Sequence, residues 1–231
     1  SSAASDVYKR ELDTSGTLFS IALLNDGNIE QRIFDANKQN SEKIIIEIQN
    51  LLKSLNFSLE DLKGIAFGSG PGTFSGVRVA CGIAYGIAYA KKLPIIGIDT
   101  LEALAAIHPK NNSISCIDAR MNQIYLGFFK ESNNKLIRQR EYGVYDPTEL
   151  PESSLDNPII IGSGVKMYIN ELRKRYDKLS PAYDQKSYGL AGVIAKLSQN
   201  RFDQGFGLSK ASPIYIRNKV AQTIIERAGA K

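Results

Sequence analysis

The chain has 231 residues, of which 43% are hydrophobic, enough for one large or two small globular domains. Its formal net charge of +5 is a mild basic bias. That bias is well below that of a dedicated nucleic-acid-binding protein, although it permits a place in an RNA-containing complex. No apolar run reaches the roughly twenty residues of a membrane helix, and the N-terminal Ser-Ser-Ala-Ala-Ser lacks the apolar core of a signal peptide. We therefore expect a cytoplasmic protein that contacts no membrane.

The scarcity of histidine and cysteine excludes several chemistries. His108 is the only histidine, so a zinc site that needs two imidazoles cannot form. It is expected at the end of a helix just before Pro109, facing the negative end of the helix dipole, and we assign it no catalytic role. Cys81 and Cys116 match no zinc-binding pattern and are expected to be reduced, buried thiols.

The first half of the chain predicts a mixed sheet covered by helices. A meander of three strands is predicted over residues 7–13, 17–24 and 29–35, and the turn Asn25-Asp26-Gly27-Asn28 joins the last two. The periodicity then predicts a helix over 41–55, a strand over 64–68, a helix over 75–92, a strand over 94–98, and a helix from Asp99 or Thr100 to about residue 107. Strands that alternate with helices after a meander indicate an α/β domain.

The second half repeats this order of elements after Pro109. Strands are predicted over residues 113–118, 123–130, Lys135–Tyr142 and 158–162, and helices over about 165–176 and Gly189–Gln199. Each half therefore has a strand meander followed by helices and buried strands, which predicts two similar α/β domains joined near residues 98–112. We place the two domains at residues 1–104 and 105–231, with a basic, loose tail after Arg217.

A turn crowded with glycine, Gly68–Gly72, joins an apolar strand to the helix that follows. Its bare backbone N–H groups and the helix N-terminus behind them are features of anion-binding loops. The turn lacks the lysine of a Walker A loop, and Thr73 and Ser75 stand where a Gly-x-Gly-x-x-Gly spacing requires the third glycine. Two interpretations stay open: a weak phosphate site, or a sharp reversal that lets Pro71 and Gly72 pass close to another backbone.

The helix after this turn is apolar on nearly every side. One stripe consists of Val77, Cys81, Ala84 and Ala88, and another of Val79, Ala80, Ile83 and Ile87, while Gly82 and Gly86 leave a groove flanked by Tyr85 and Tyr89. One side of such a helix can face its own sheet, and the remainder needs either helix 41–55 or a second protein chain. Helix 41–55 carries an apolar arc of about 120°, formed by Ile44, Ile45, Ile48, Leu51, Leu52 and Leu55.

Several motifs resemble the TsaB (YeaZ) family, and they occur in the family's order over about residues 11–217. The first turn, Asp13-Thr14-Ser15, matches that of the family. The segment that follows the apolar strand, Gly70-Pro71-Gly72-Thr73-Phe74-Ser75-Gly76-Val77-Arg78, is similar to the family's Gly-Pro-Gly-Ser/Thr-Phe-Thr-Gly-Leu-Arg signature. Further matches are Asp99-Thr100-Leu101-Glu102-Ala103-Leu104-Ala105, Asp118-Ala119-Arg120-Met121-Asn122-Gln123-Ile124-Tyr125, Gly162-Ser163-Gly164 and Pro213-Ile214-Tyr215-Ile216-Arg217.

The resemblance implies a fold of two actin-like ATPase domains, which are ribonuclease H-like. It also implies a subunit that helps to place the threonylcarbamoyl group on the adenosine beside the anticodon of certain tRNAs. In that family the catalytic work lies in a paralogous partner, TsaD, together with the ATPase TsaE, so that tRNA is contacted only indirectly. TsaB proteins pair with TsaD, or with a second copy of themselves, through their first two helices. Carried over, that surface consists of helices 41–55 and 75–91.

The site residues implied by the resemblance belong to a non-catalytic subunit with no catalytic residue, metal or cofactor. The paired histidines that hold a metal in TsaD have no counterpart in a chain with one histidine, and no metal site or triad supports proteolysis. Remnants of phosphate loops are expected at Asp13, Thr14, Ser15, Gly70, Gly72 and Thr73. The expected partner-binding residues are Ile45, Ile48, Leu52, Val77, Cys81, Ala84, Tyr85 and Ala88.

Two other functions stay open. Loops at Asp13–Gly16 and Gly68–Gly72 that face each other across a cleft would make an actin-like nucleotide-hydrolysing enzyme. Direct tRNA binding by Arg173-Lys174-Arg175, Arg217 and Lys219 is a weaker alternative, since a charge run is normally a solvated surface.

The first strand departs from the family pattern. Residues 7–12 read Val-Tyr-Lys-Arg-Glu-Leu where the family has an apolar run. Such a strand is costly at the centre of a sheet unless its side chains reach solvent, so it is either altered or placed at an exposed end.

Overall fold

The structure is a computed structural model that describes residues 9–13, 18–35, 41–176, 189–202 and 212–216. Its strands are β1 (Lys9–Asp13), β2 (Leu18–Asn25), β3 (Asn28–Asp35), β4 (Gly64–Gly70), β5 (Ile95–Asp99), β6 (Ser113–Arg120), β7 (Gln123–Ser132), β8 (Lys135–Arg138), β9 (Gly143–Tyr145) and β10 (Ile159–Ile161). Its α-helices are α1 (Ser41–Ser54), α2 (Phe74–Lys91), α3 (Thr100–Ala105), α4 (Gly164–Arg175) and α5 (Ala191–Phe202).

The first sheet has the strand order β3-β2-β1-β4-β5. Strands β1, β2 and β3 form an antiparallel meander, and β1, β4 and β5 run parallel to one another. Asp26 and Gly27, with φ of 48° and 79°, make the turn between β2 and β3, as the Asp-Gly sequence predicts. Since β1 pairs with both β2 and β4, the alternative that this charged strand lies at an exposed end of the sheet is wrong.

The second sheet repeats the plan of the first. Strands β6, β7 and β8 are antiparallel neighbours, and β10 pairs in parallel with β6, in the order β10-β6-β7-β8. The predicted α/β class with two mixed sheets, each built from a meander, is confirmed. The division of the chain at residue 104 stays a prediction. Helix α5, which follows the second sheet in the chain, packs on the first, where the Ala191 N–H donates to Ser20 Oγ over 3.1 Å.

The predicted strand over Lys135–Tyr142 is wrong beyond Arg138. Strand β8 ends there, and a separate short strand, β9, pairs with β7. The intervening residues make tertiary contacts instead of a continuous ladder. The Arg140 guanidinium lies over the Phe128 ring at 5.0 Å, and the Tyr142 hydroxyl donates to the Asp99 carboxylate over 2.8 Å.

The two faces of the first sheet pack on different layers. Ile65 and Phe67 of β4 face the cluster that contains α1 and α2, whereas Ala66 between them faces the cluster that contains α3 and α5. This alternation follows from the period of two in a strand, and it makes β4 buried on both faces. Helices α1 and α2 therefore lie on the face of the first sheet that is turned away from the second sheet.

Helix α3 connects the two sheets by direct packing. Leu101 and Leu104 share one cluster with Ile98 of the first sheet and Ile117 of the second. Beside this contact, Glu102 forms an ion pair with Arg201 of α5. Burial raises the pKa of the Glu102 carboxyl group, and it likewise raises that of its neighbour Asp99. The two halves are thus joined by an apolar contact with paired polar groups at its edge.

Candidate functional site

An open groove of about 520 Å³ lies between α1 and α2. It is largely apolar, because Gln49 and Arg78 are the only polar side chains among the described residues that line it. The residues that line it are Ile45, Ile48, Gln49, Leu59, Arg78, Val79, Gly82, Ile83, Gly86 and Ile87. A groove of this composition offers a docking surface for an apolar segment rather than a site for a charged metabolite.

Helix α1 has one buried face and two isoleucines outside it. Its buried residues, Ile44, Ile48, Leu51 and Leu52, pack against the first sheet. Ile45 and Ile46, by contrast, are 42% and 47% exposed. Ile45 lies at the groove, so the predicted apolar arc of this helix is divided between the core and the groove.

Helix α2 rests on the sheet through small side chains. Ala80, Ala84 and Ala88 have no exposed surface and pack with β4, where their small size lets the helix lie close to the strand. On the opposite side, Gly82 and Gly86 are exposed, and a β-carbon added at either position would meet no atom within 4 Å. A glycine inside a helix costs roughly 0.5–1 kcal/mol relative to alanine, so the isolated chain gains nothing from either residue.

The expected partner-binding residues differ in how accessible they are in the free chain. Five of them, Ile48, Leu52, Val77, Ala84 and Ala88, are at most 5% exposed and hold the two helices against the sheet. Ile48 also lines the groove, whereas a partner could touch the other four side chains only after the helices separated from their own core. Cys81 and Tyr85 are half-buried and do not line the groove. Of the eight, Ile45 alone is both exposed and part of the groove.

Most of the groove residues that the expected set omits lie on α2. Val79, Ile83 and Ile87 line the groove together with the two glycines. The sequence carries a signal for this face. Alanines at 80, 84 and 88 suit close packing on a sheet, whereas helix-interior glycines at 82 and 86 have no use in such a contact.

The glycine turn passes close to another backbone, as the reversal interpretation requires, and that backbone belongs to residues 212–216. The Ile214 N–H donates to the Ser69 carbonyl oxygen over 2.7 Å. The Ile214 carbonyl oxygen lies 3.1 Å from where a β-carbon on Gly70 would stand, and Gly70 itself has a φ of 100°. Glycine is therefore needed at this position both for its conformation and for the close approach.

The expected phosphate-loop residues are only partly described. Gly70 ends β4, and Gly72 and Thr73 lead into α2. The backbone of Asp13 ends β1, the parallel neighbour of β4, so these two strand ends lie at the same edge of the sheet. Thr14 and Ser15 lie outside the described residues, and the suggestion that these loops are remnants of a phosphate site stays a prediction.

The expected basic site for tRNA is likewise incomplete. Arg173, Lys174 and Arg175 are exposed in the last turn of α4, while Arg217 and Lys219 lie outside the described residues. Arg175 pairs with Glu152 over 3.3 Å, which neutralises part of this charge run.

The two cysteines differ in their burial. Cys81 and Cys116 are both free, and only Cys116 is fully buried, which raises the pKa of its thiol. Among the described residues, no three histidine, cysteine, aspartate or glutamate side chains form a group that could hold a metal ion. None of the helices in the described ranges combines the length and the apolar character that a membrane span requires.

Comparisons with known proteins give a consistent result. The family model for TsaD, tRNA N6-adenosine threonylcarbamoyltransferase, matches residues 34–153, just over half of the chain. The tRNA threonylcarbamoyladenosine biosynthesis protein TsaB of Haemophilus influenzae is 31% identical over 227 residues, covering 90% of this chain and 93% of that protein.

Two solved structures from Pseudomonas aeruginosa share the fold. A protein described as similar to peptidase YeaZ superposes with a TM-score of 0.80 at 25% identity, covering 91% of this chain and 100% of the other. YeaZ itself gives a TM-score of 0.75 at 24% identity, covering 90% and 99%. The two mixed sheets are thus actin-like, ribonuclease H-like domains, and the chain belongs to the TsaB (YeaZ) family of tRNA threonylcarbamoyladenosine biosynthesis proteins.

Proposed function

We propose that this chain is a non-catalytic subunit in threonylcarbamoyladenosine formation, and that it binds the catalytic paralogue TsaD through the groove between α1 and α2. TsaE joins the resulting complex, and tRNA is reached only through it. The observation that carries this proposal is the apolar groove beside two exposed helix glycines, Gly82 and Gly86. Exposed glycines that cost stability in the free chain are accounted for if another helix packs closely over them.

The match to the TsaD model supports this choice of partner. The matched residues, 34–153, include both α1 and α2. If TsaD has a corresponding helix pair, the two proteins can pair through similar surfaces about a pseudo-twofold axis, as subunits of symmetric dimers do. The same reasoning supports a homodimer through these helices when TsaD is absent.

The non-catalytic role is supported by the presence of a single histidine in the sequence and by the side chains that line the groove. The single histidine, His108, lies in the turn after α3, and a metal site built on paired histidines cannot form in this sequence. The groove residues themselves include no nucleophile and no general base.

Replacing Ile83 with Arg should abolish TsaD binding without unfolding the chain. Ile83 is half-buried at the groove, so the new charge can reach solvent in the free protein but is desolvated when a helix docks. We expect at least a roughly hundredfold loss of affinity, measured by calorimetry with TsaD of the same organism. The variant should also fail to support tRNA modification in a mixture with TsaD and TsaE.

The matched control is Ile137→Arg. Ile137 is 50% exposed on β8, in the second sheet and away from the groove. It should bind TsaD as the wild type does. If Ile83→Arg binds equally well, the groove is not the TsaD-binding surface.

The variants Gly82→Ala and Gly86→Ala should raise stability and lower affinity at the same time. Each should increase the free energy of unfolding by about 0.5–1 kcal/mol, because alanine favours the helix and its methyl group meets no atom of this chain. In the complex, the same methyl groups would hold the partner helix away. Urea unfolding and calorimetry with TsaD test the two effects. A gain in stability with unchanged affinity would contradict close helix packing at these glycines.

The alternative function, an actin-like ATPase with its own phosphate site, has less support. Beside Gly70, the chain's own Ile214 carbonyl oxygen lies 3.1 Å from where a β-carbon would stand, and its partial negative charge would repel an anion bound next to it. Calorimetry with ATP and magnesium tests this alternative, and heat of binding at micromolar nucleotide would favour it over the proposal.

A further inference from the structure

We infer that residues 212–216 form a strap that presents Arg78 as a carboxylate-binding cation at one end of the groove, so that the docked partner helix carries an aspartate or glutamate there. This inference rests on the proposed function and deepens it, since it specifies the chemistry of the partner's contact surface. Its basis is the contact of Arg78 with the strap and with the first turn of α2.

The strap has a defined position on the glycine turn. Its central peptide is fixed by the hydrogen bond from the Ile214 N–H to the Ser69 carbonyl oxygen, 2.7 Å long. Ile216 packs against the apolar cluster between the two sheets. The space left between strap and turn is only about 50 Å³, so the strap lies against the turn with little room for another molecule.

Arg78 is held by aromatic side chains from both elements. Its guanidinium carbon lies 3.5 Å from the centre of the Phe74 ring and 5.9 Å from that of the Tyr215 ring. Its Nε donates to the Tyr215 hydroxyl over 3.3 Å. Stacking on aromatic faces orients the planar guanidinium and leaves its edge available for hydrogen bonds. Phe74 and Tyr215 are 46% and 54% exposed, so this arrangement stands at the surface.

Arg78 has no carboxylate partner within the described part of the chain. The ion pairs found there join other residues, including Arg32 of β3 with Glu47 of α1, and Lys91 of α2 with Glu60, which lies between α1 and β4. Arg78 is also the only charged residue among the described ones that line the groove. It therefore differs from its neighbours in carrying a fixed orientation and an unmatched charge.

The docking of an apolar helix over this groove would remove water from Arg78. A desolvated charge without a partner is strongly unfavourable, whereas a carboxylate can accept two parallel hydrogen bonds from the guanidinium edge. An acidic side chain at the matching end of the partner helix would therefore offset the cost of removing water from Arg78 and would form a specific contact with it.

The test is calorimetry with TsaD of the same organism at low and moderate salt. Arg78→Gln, which removes the charge but keeps a polar amide, should raise Kd about tenfold or more, with less salt dependence than the wild type. Arg78→Lys should bind with intermediate affinity, because it keeps the charge but not the planar stacking. Tyr215→Phe should raise Kd about two- to fivefold, since only the hydroxyl contact is lost. The matched control is Lys53→Gln, an equal loss of charge on α1 at an exposed residue outside the groove.

The outcomes separate this inference from the function on which it rests. Wild-type affinity in Arg78→Gln would overturn the inference and leave the TsaD-binding role intact. Failure of the wild type to bind TsaD would overturn both. A titration with inorganic phosphate and with ATP tests whether Arg78 binds a phosphate group instead of a carboxylate of the partner. Binding of either by the wild type but not by Arg78→Gln would assign Arg78 to a phosphate and overturn the carboxylate assignment.

Discussion

An Ala84→Arg variant is expected to lose its folded structure. Ala84 has no exposed surface and lies on the face of α2 that packs against β4. The arginine side chain has no space there, and its charge would be buried among aliphatic and aromatic groups without a partner. We expect a loss of about 4 kcal/mol or more in the free energy of unfolding, a large fraction of the stability of an ordinary domain. Circular dichroism and urea unfolding measure this directly.

The position one residue earlier supplies the contrast. Ile83→Arg places the same side chain on the same helix, but at the groove. The thermal unfolding midpoint of this variant should stay within a few degrees of that of the wild type, while its binding to TsaD is lost. If Ala84→Arg instead folds normally and only loses the partner, α2 does not lie on the sheet in the orientation described.

A Gly162→Ala variant should be the most damaging single-methyl change in the second sheet. Gly162 follows β10 with a φ of 127°, a conformation that residues with a side chain rarely adopt. A β-carbon there would lie 2.0 Å from the Cys116 carbonyl oxygen, which is backbone of the neighbouring strand β6 and cannot move aside as a side chain could. We expect a loss of about 2–5 kcal/mol in the free energy of unfolding.

Gly27→Ala is the matched control for this effect. Gly27 also has a positive φ, 79°, but a β-carbon there would meet nothing within 4 Å. Its cost should be the backbone strain alone, about 1–2 kcal/mol. The difference between the two variants, measured by urea unfolding, reports the clash with Cys116 together with the difference in backbone strain between a φ of 127° and one of 79°. Equal losses would show that the strand β6 shifts to accept the methyl group.

Local sequence signals were sufficient for most elements of the fold. The Asp26-Gly27 turn fixed the hairpin between β2 and β3, and the helix and strand periods located α1, β4, α2 and β5 to within a few residues of their observed bounds. The motifs that resemble the TsaB family led to the fold of two actin-like domains, which the comparisons confirm. These signals involve residues that are close together in the chain, so they can be recognised without knowledge of the tertiary contacts.

The prediction of a single strand over residues 135–142 from the local sequence pattern was wrong in its second half. Residues 135–142 have a continuous strand-like pattern, yet the chain leaves the ladder after Arg138. The Tyr142 hydroxyl finds its acceptor on Asp99, at the end of β5 in the other sheet. A partner 43 residues away gives no periodic signal in the sequence.

The sequence by itself predicted that more than one side of α2 is covered, because a helix that is apolar on nearly every side is rarely left facing water. Only the tertiary structure decided which side faces the sheet. An amphipathic helix such as α1 orients itself by its polar face, whereas α2 has none, so contacts with β4 selected the alanine stripe for the core and left the two glycines outside. The position of the strap, residues 212–216, could not be predicted from the sequence either, because it also depends on tertiary contacts. The hydrogen bond between Ile214 and Ser69 joins backbone groups far apart in the chain, and their meeting depends on how the two sheets pack.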